Sequence, residues 1–272
     1  MEKNIDFKGL KIHFKDVNAD AQKTVLLLHG NSMNSSLMDN FIQWKEMQQY
    51  RIIAPDFPGH GLSERSQNPE HDYSVINLME MVNYLTGELN PGKIVIFGHS
   101  LGGHIAINLA NDISQLKGIS ICGTPPLTLP PEIEKAFLPN PSIGLVFKPD
   151  LDDEQLQLLA NSFTPEGTDI NRRVKTSIRD CDPLVRAFIG KSIATELIND
   201  ETEIIQSLQC PVAVFHGSEE AIVNLKYIES LKIPSLWQNK IHVIMDTMHF
   251  PFIENESEFK DKFISFLDDC FA

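Results

Sequence analysis

The stretch 95-VIFGHSLGGHIAINLA-110 decides the fold predicted for this chain. An apolar run is followed by a glycine-rich turn and then by residues with helical spacing. Gly98, Ser100 and Gly102 fit the pattern G-x-S-x-G, in which a serine occupies a sharp turn between a strand and a helix. Larger residues at the two glycine positions would clash with the adjoining strand and helix. The turn therefore predicts an exposed hydroxyl beside a helix N-terminus, where free N–H groups favour negative charge. The alternative is a serine that only caps the helix.

Short apolar runs recur on both sides of this turn and predict strands. Near-continuous apolar runs suit strands that are covered on both faces of a parallel sheet. Helical stretches between them, such as 74–89, indicate βαβ units and a doubly wound sheet. The first segment, 4–16, predicts an antiparallel hairpin at the sheet edge. The predicted strands are 24-TVLLL-28, 51-RIIAP-55, 93-KIVIF-97, 118-GISIC-122, 211-PVAVF-215 and 240-KIHVI-244.

The alternation of strands and helices stops between residues 124 and 207. The interruption begins with the proline-rich segment 124-TPPLTLPPEIEKAFLPNPSIG-144, whose prolines disfavour regular structure. Three predicted helices follow, at 152–163, 168–180 and 184–199, without a convincing strand. The sequence therefore predicts an α/β core formed by residues 1–123 and 208–272, with a helical cap, residues 124–207, inserted into it.

Composition and charge argue against several classes of function. The chain has 272 residues, of which 42% are hydrophobic, and its formal net charge is −14. An acidic surface repels nucleic acid and anionic membranes, so neither is expected as a partner. No segment approaches the roughly 18 apolar residues of a membrane span, and the N-terminus lacks the apolar run of a secretion signal. The four scattered cysteines predict reduced thiols in a cytoplasmic protein. The sequence does not indicate an oligomeric state.

A serine hydroxyl becomes a good nucleophile only when a base removes its proton. His249 is the candidate base, because it follows the last predicted strand at the edge where open α/β sheets bind ligands. The base needs a carboxylate to orient it, and in this architecture the acid lies between serine and histidine in chain order. The segment 216-HGSEEAIV-223 offers two adjacent glutamates. Glu220 is preferred, and Glu219 is the alternative, since a shift of one residue in the turn would exchange them.

The charge that develops on a carbonyl oxygen during serine attack requires N–H donors. One donor is expected from Leu101, the residue after the serine, and the other from Asn31 in the loop 29-HGNS-32. His60 is expected in the outer wall of the site. Structural roles are assigned to three further histidines: His29, His99 and His216.

No metal or cofactor is expected. The chain lacks the pattern H-x-H-x-D-H, and His99 and His104 lie five residues apart across a turn with no acidic partner nearby. Gly98, Gly102 and Gly103 do not form the dinucleotide-binding pattern G-x-G-x-x-G.

On these segments the chain resembles the α/β-hydrolase family over nearly its whole length. The resemblance rests on 29-HGNS-32, 55-PDFPGHGLS-63, 98-GHSLGGH-104, 216-HGSEEAIV-223 and 248-MHFPFIENESEF-259. Within the family, the chain is most similar to metal-independent N-acyl-homoserine lactonases, on 123-GTPP-126, the glutamate acid and 236-LWQNKIHVIMDTMHFPF-252. This likeness implies that Ser100, Glu220 and His249 form a catalytic triad. It also implies that Asn31 and Leu101 form the oxyanion hole.

The predicted cap departs from such lactonases at one point. They place a tyrosine hydroxyl of the cap near the lactone, whereas residues 124–207 contain no tyrosine. Leu159 takes the matching place. It joins Phe137, Phe163 and Phe188 as a candidate substrate-binding residue, although the helices of a cap must also bury an apolar stripe for packing.

The predicted function is that of a carboxylic ester hydrolase, which cleaves a small ester or lactone through an acyl-enzyme. Ring opening of N-acyl-homoserine lactones, which is quorum quenching, is the leading interpretation. The alternatives are a generalist carboxylesterase and a slow-turnover receptor for a small-molecule signal, because fold alone does not separate these activities.

Overall fold

The computed structural model describes residues 1–195 and 199–272. The described strands form one eight-stranded sheet in the order β1-β2-β4-β3-β5-β6-β7-β8. Neighbouring strands from β4 to β8 are parallel, and the hairpin of β1 and β2 joins β4 in antiparallel orientation at the edge. The predicted mostly parallel sheet with an edge hairpin is thereby confirmed. The strands are β1 (Glu2–Phe7), β2 (Leu10–Val17), β3 (Lys23–Leu28), β4 (Arg51–Pro55), β5 (Lys93–His99), β6 (Leu116–Cys122), β7 (Val212–Gly217) and β8 (His242–Ile244).

Helices cover both faces of the sheet and fill the long connection between β6 and β7. The helices of the described residues are α1 (Asp39–Gln43), α2 (Pro69–Asp72), α3 (Val75–Leu89), α4 (Leu101–Asn108), α5 (Ile133–Ala136), α6 (Asp153–Phe163), α7 (Asp169–Asp180), α8 (Pro183–Thr195), α9 (Glu201–Ser207), α10 (Leu225–Ser230), α11 (Pro251–Glu254) and α12 (Glu256–Phe271).

The apolar runs form strands because they are covered on both faces. Every residue of β4 and β7 is buried, and only the first residue of β5 is exposed. On one face, aromatic side chains of α12 pack against β5: the rings of Phe97 and Phe263 are 5.6 Å apart, and those of Phe97 and Phe259 are 5.8 Å apart. These contacts pack the central strand β5, whose carboxyl end leads directly into the turn at Ser100.

The connection between β6 and β7 is helical, as the sequence predicts for residues 124–207. Helices α6, α7 and α8 begin within one residue of the predicted starts. The predicted helix 184–199 is described only to Thr195, and residues 196–198 lie outside the described residues. Two hydrogen bonds join the connection between β6 and β7 to loops that follow the parallel strands. They run from the Leu138 N–H to the Ile222 carbonyl (2.7 Å) and from the His249 N–H to the Phe163 carbonyl (3.1 Å). The inserted segment therefore lies over the carboxyl edge of the sheet.

All four cysteine thiols are free. Burial raises the pKa of Cys181 to about 12, and burial likewise raises the pKa of Cys122 well above its usual value. These two thiols are therefore protonated at neutral pH.

Within the described part of the chain, no helix combines the length and apolar character needed to cross a membrane.

Candidate active site

Ser100 occupies a strained turn between β5 and α4. Its backbone angles are φ +52° and ψ −117°, a conformation that side-chain-bearing residues rarely adopt. A Cβ on Gly98 would be 2.4 Å from the Gly102 carbonyl oxygen, and a Cβ on Gly102 would be 2.2 Å from the Leu28 carbonyl oxygen. Neither position has room for a larger residue, because helix α4 and strand β3 approach the backbone directly. The steric clash predicted at both glycine positions is thereby confirmed.

The turn is held by its backbone and leaves the serine side chain available. The Ser100 N–H donates to the Cys122 carbonyl at 2.9 Å, and the Ser100 carbonyl accepts from Thr124 Oγ1 at 2.9 Å. The Ser100 side chain makes no capping hydrogen bond to α4, which it precedes. A serine that merely caps the helix, the alternative left by the sequence, would use its hydroxyl for that bond.

Glu220 and His249 form a buried pair beyond the ends of β7 and β8. His249 Nδ1 donates to Glu220 Oε2 at 2.6 Å, and the Ile222 N–H donates to Glu220 Oε1 at 2.9 Å. Burial alone raises the pKa of Glu220, but the adjacent His249 imidazole outweighs it and holds the net pKa below its usual value. The carboxylate is therefore ionised at neutral pH. Of the two glutamates that the sequence left open, only Glu220 contacts His249, while Glu219 is exposed to solvent.

Three neighbours fix the position of the His249 ring. Its carbonyl accepts a hydrogen bond from His99 Nε2 at 2.9 Å, and its ring lies 5.3 Å from that of Phe163. Gly123 lies against the ring edge. Burial, and then the proximity of His249, drives the pKa of His99 well below its usual value, so His99 is neutral.

Ser100 and His249 line the same cavity. In the described residues no hydrogen bond joins the serine hydroxyl to the imidazole. Such bonds are often long in unliganded sites and tighten when substrate binds. The cavity places the predicted nucleophile, the predicted base and the ligand space together.

The loop that carries Asn31 is braced from behind by two buried histidines. Ser32 N–H donates to His60 Nε2 at 3.2 Å, and His29 Nδ1 donates to the Gly30 carbonyl at 2.8 Å. Burial lowers the pKa of His60 to about 3, so its Nε2 remains an acceptor at neutral pH. His60 is fully buried behind this loop and does not form the outer wall of the site, in contrast to the sequence expectation.

Asn31 and Leu101 both line the cavity. Among the described residues, neither backbone N–H has a protein acceptor. The Leu101 N–H belongs to the first turn of α4, where helix N–H groups have no intrahelical partner. Two N–H groups are therefore free to face a ligand beside Ser100.

The cavity has a volume of about 510 Å³, and its walls are mostly apolar. Phe137 and Phe163 belong to its lining. Two other candidate substrate-binding residues do not, as far as the described residues show. Leu159 is 1% exposed and packs in the core, and Phe188 is partly buried against that core. Both side chains lie on helix faces that are turned towards packing neighbours.

A second histidine–carboxylate pair lies in the same cavity, and the sequence analysis missed it. His104 Nδ1 lies 2.8 Å from Glu201 Oε2, and both residues line the cavity. The expectation that His104 lacks an acidic partner is wrong, because α9 brings Glu201 back from 97 positions further along the chain. The described residues contain no cluster of three or more histidine, cysteine or acidic side chains suited to a metal ion.

Comparison with known proteins agrees with this architecture. A family model described as alpha/beta hydrolase fold matches residues 23–144. The crystal structure of an N-acyl homoserine lactonase, AidH, as a mutant complexed with N-hexanoyl homoserine lactone, superposes with a TM-score of 0.92. It is 26% identical, over 99% of this chain and 98% of that one. The chain has the α/β-hydrolase fold. The predicted resemblance to this family and to its lactonases is confirmed.

The chain matches very different shares of two curated relatives. An uncharacterised protein of Mycobacterium tuberculosis is 37% identical over 98 residues, and the match covers 36% of this chain and 28% of that protein. A putative esterase/lipase of Mycoplasma pneumoniae is 26% identical over 243 residues, which is 81% of this chain and 82% of that protein. The chain therefore spans about a quarter of the first relative, and only the second, by its description as a putative esterase/lipase, is of the predicted class of carboxylic ester hydrolases.

Proposed function

We propose that the chain is a serine hydrolase that opens the ring of N-acyl-homoserine lactones and so quenches quorum signals. In this proposal Ser100 is the nucleophile, His249 the base and Glu220 the acid that orients it. The observation that carries the proposal is the buried Glu220–His249 pair at 2.6 Å, in the cavity that also contains the strained Ser100. A serine, a base and an oriented carboxylate around one ligand cavity are what acyl transfer requires.

The reaction follows from these positions in two steps. His249 takes the Ser100 proton at Nε2 while Oγ bonds to the lactone carbonyl carbon, and the N–H groups of Asn31 and Leu101 hold the resulting oxyanion. The ring C–O bond then breaks, and the ring oxygen receives that proton as a hydroxyl. In the second step His249 deprotonates a water, which attacks the acyl carbon, and Ser100 regains a proton as it leaves. The product is the ring-opened acid, because the hydroxyl stays tethered to the acyl group.

Residues 124–207 act as the cap in this proposal. They contribute apolar walls such as Phe137, Val146 and Ile189, which suit an acyl chain. The AidH structures, with N-hexanoyl homoserine lactone and with N-butanoyl homoserine, support a small lactone substrate.

A generalist carboxylesterase is the second candidate. The observation that favours it is the inserted segment's lack of a tyrosine hydroxyl, together with the burial of Leu159 outside the cavity lining. Such a cap holds a lactone ring with fewer polar contacts than the family resemblance implies. A slow-turnover receptor is disfavoured because receptor binding does not require the oriented base.

The deciding experiment compares a lactone and an aryl ester that carry the same hexanoyl chain, which is an amide substituent of the ring in the lactone and the transferred acyl group in the ester. Purified protein is assayed with N-hexanoyl-homoserine lactone, by release of acid, and with p-nitrophenyl hexanoate, under steady-state conditions. A kcat/KM for the lactone that exceeds that for the ester supports the lactonase. The reverse order identifies the esterase, and a single turnover on both substrates identifies the receptor. Ser100→Ala is the control for catalysis by contaminating enzymes.

A further inference from the structure

The His104–Glu201 pair is a polar feature of the cavity that the proposed reaction does not use. Glu201 is 3% exposed and accepts three kinds of hydrogen bond. They come from His104 Nδ1 at 2.8 Å, from Asn108 Nδ2 at 2.8 Å and from the Leu127 N–H at 2.9 Å. The NH2 group of Asn108 and the N–H of Leu127 can only donate, so the Glu201 carboxylate is the acceptor in both bonds.

This network determines which nitrogen of His104 carries the proton. Because Glu201 accepts, Nδ1 of His104 is the N–H donor, and in the neutral ring Nε2 is left with a lone pair. No described residue forms a hydrogen bond with Nε2, and the side chain of His104 is 17% exposed. His104 contributes to the cavity wall, as do apolar residues such as Leu127 and Ile193. In its neutral form the ring therefore offers the cavity an acceptor whose orientation Glu201 fixes.

The position of His104 relates this acceptor to the reacting group. His104 lies four residues after Ser100, in helix α4, so the two positions are one helical turn apart, a rise of about 6 Å. A substrate carbonyl at Ser100 therefore places the next few atoms of its acyl part within reach of a hydrogen bond to His104. A plain hydrocarbon chain there would leave the acceptor desolvated and unpaired, which costs binding energy.

We propose that His104, oriented by Glu201, determines specificity by accepting a hydrogen bond from a hydroxyl group that the acyl part of the substrate carries near the scissile carbonyl. This inference rests on the proposed function, since it assumes that the acyl carbonyl binds at Ser100. The chemical class that it names is the ester of a hydroxy acid, and the inference needs only an ester carbonyl at Ser100 and not the lactone ring. Glu201 is a positioning residue in this account, because it acts only through the ring of His104.

The test uses substrates that differ by one hydroxyl. The kcat/KM values for p-nitrophenyl 3-hydroxyhexanoate and p-nitrophenyl hexanoate are measured, and their ratio is compared among variants. His104→Leu should lower the ratio three- to tenfold relative to the unmodified protein, which is the effect of one neutral hydrogen bond. The loss should appear mainly in KM, because the bond forms in ground and transition states alike. His104→Gln keeps an acceptor oxygen and should restore most of the ratio.

Phe137→Leu is the matched control in the same cavity. It changes an apolar wall residue, so it should affect both esters by the same factor and leave their ratio unchanged. A ratio that is equal in the unmodified protein and in His104→Leu would overturn the proposal. Thermal unfolding of each variant shows whether it is folded, and His104→Gln provides the comparison if His104→Leu is not.

A binding experiment separates this inference from the proposed reaction. Ser100→Ala protein, with and without His104→Leu, is titrated calorimetrically with methyl 3-hydroxyhexanoate and with methyl hexanoate. Three- to tenfold tighter binding of the hydroxylated ester, lost in the double variant, supports the role of His104 even if no ester is turned over. Equal affinities for the two esters overturn it, even if the proposed hydrolysis is confirmed.

Discussion

Gly123 lies directly against the imidazole of His249. A Cβ on Gly123 would be 2.6 Å from Cε1 and 2.9 Å from Nδ1 of the ring. Gly123 follows the last residue of β6 and has a φ of +60°, so a side chain there would be strained as well as crowded. Gly123 therefore leaves room for the imidazole of His249, the proposed base. The position of that imidazole depends on the absence of a side chain at residue 123.

Gly123→Ala should displace His249 and lower kcat/KM about 100-fold or more, because small misplacements of catalytic groups carry costs of this size. The measurement is ester hydrolysis together with thermal unfolding. Gly9→Ala is the control for backbone strain, because Gly9 has a φ of +83° and no atom within 4 Å of its Cβ position. It should lose about 1 kcal/mol of stability and keep its activity. Full activity in Gly123→Ala would contradict the proposed position of the base.

Ser100→Ala and Ser100→Gly should both abolish hydrolysis but differ in stability. Both remove the hydroxyl, whose loss in such sites typically lowers turnover by about a million-fold. Only glycine relieves the strain at φ +52°, so Ser100→Gly should be about 1 kcal/mol more stable than Ser100→Ala. Urea unfolding of the two variants provides the measurement. Equal stabilities would show that the turn stores no strain, and residual turnover would remove Ser100 from the mechanism.

Much of the site could be predicted because its residues follow strand ends. In a parallel sheet the carboxyl ends of all strands meet at one edge, so the residues after β5, β7 and β8 come together irrespective of their separation in sequence. That rule led from Ser100 to His249 and to the pair of glutamates. The choice between Glu219 and Glu220 needed the structure. A shift of one residue in the turn would bury the Glu219 carboxylate and expose that of Glu220.

The inserted segment was less predictable, since helical spacing shows which residues share a face but not what that face contacts. Leu159 and Phe163 share the apolar face of α6, yet only Phe163, at the helix end, reaches the cavity. Glu201 was missed because its partner His104 is 97 positions away along the chain. One signal was present in the sequence: a histidine four residues after the serine lies one turn further along the same helix.

Glu220→Gln should lower kcat by about 10⁴-fold, whereas Glu219→Gln should leave it within a factor of two. The amide of glutamine in place of the Glu220 carboxylate favours the wrong imidazole tautomer and does not stabilise the imidazolium. Glu219 is an exposed neighbour with the same chemistry, which makes it a matched control. Steady-state ester hydrolysis measures both variants. If Glu219→Gln proved the more damaging change, the acid would lie one residue earlier than the geometry indicates.

His60→Phe should lower kcat about 10- to 100-fold with a smaller change in KM. The variant removes the acceptor for the Ser32 N–H, so the loop shifts and the neighbouring Asn31 N–H loses its alignment. The loss should not exceed the 100- to 1,000-fold typical of removing one oxyanion donor. His71→Phe is the control, because the His71 side chain is 56% exposed. An unchanged kcat in His60→Phe would show that the loop keeps its geometry without this bond.

Asp56→Asn should make the protein less stable at neutral pH and less sensitive to acid. Asp56 is buried and accepts hydrogen bonds from the N–H groups of Ser35 (2.7 Å) and Leu62 (2.9 Å) and from His13 Nδ1 (2.9 Å). Burial alone raises its pKa, but His13 and the N–H donors outweigh it and lower the pKa to about 2. The pKa of an aspartate in the unfolded chain is about 3.9.

A folded pKa below the unfolded one gives stability that is present above pH 4 and lost as pH falls towards 2. This contribution amounts to about 2.6 kcal/mol. Urea unfolding between pH 7 and pH 2.5 should therefore show a stability difference between the unmodified protein and Asp56→Asn that shrinks below pH 4. The exposed Asp20→Asn should follow the unmodified protein throughout. A difference that stays constant down to pH 2.5 would show that the Asp56 carboxylate is not the group responsible.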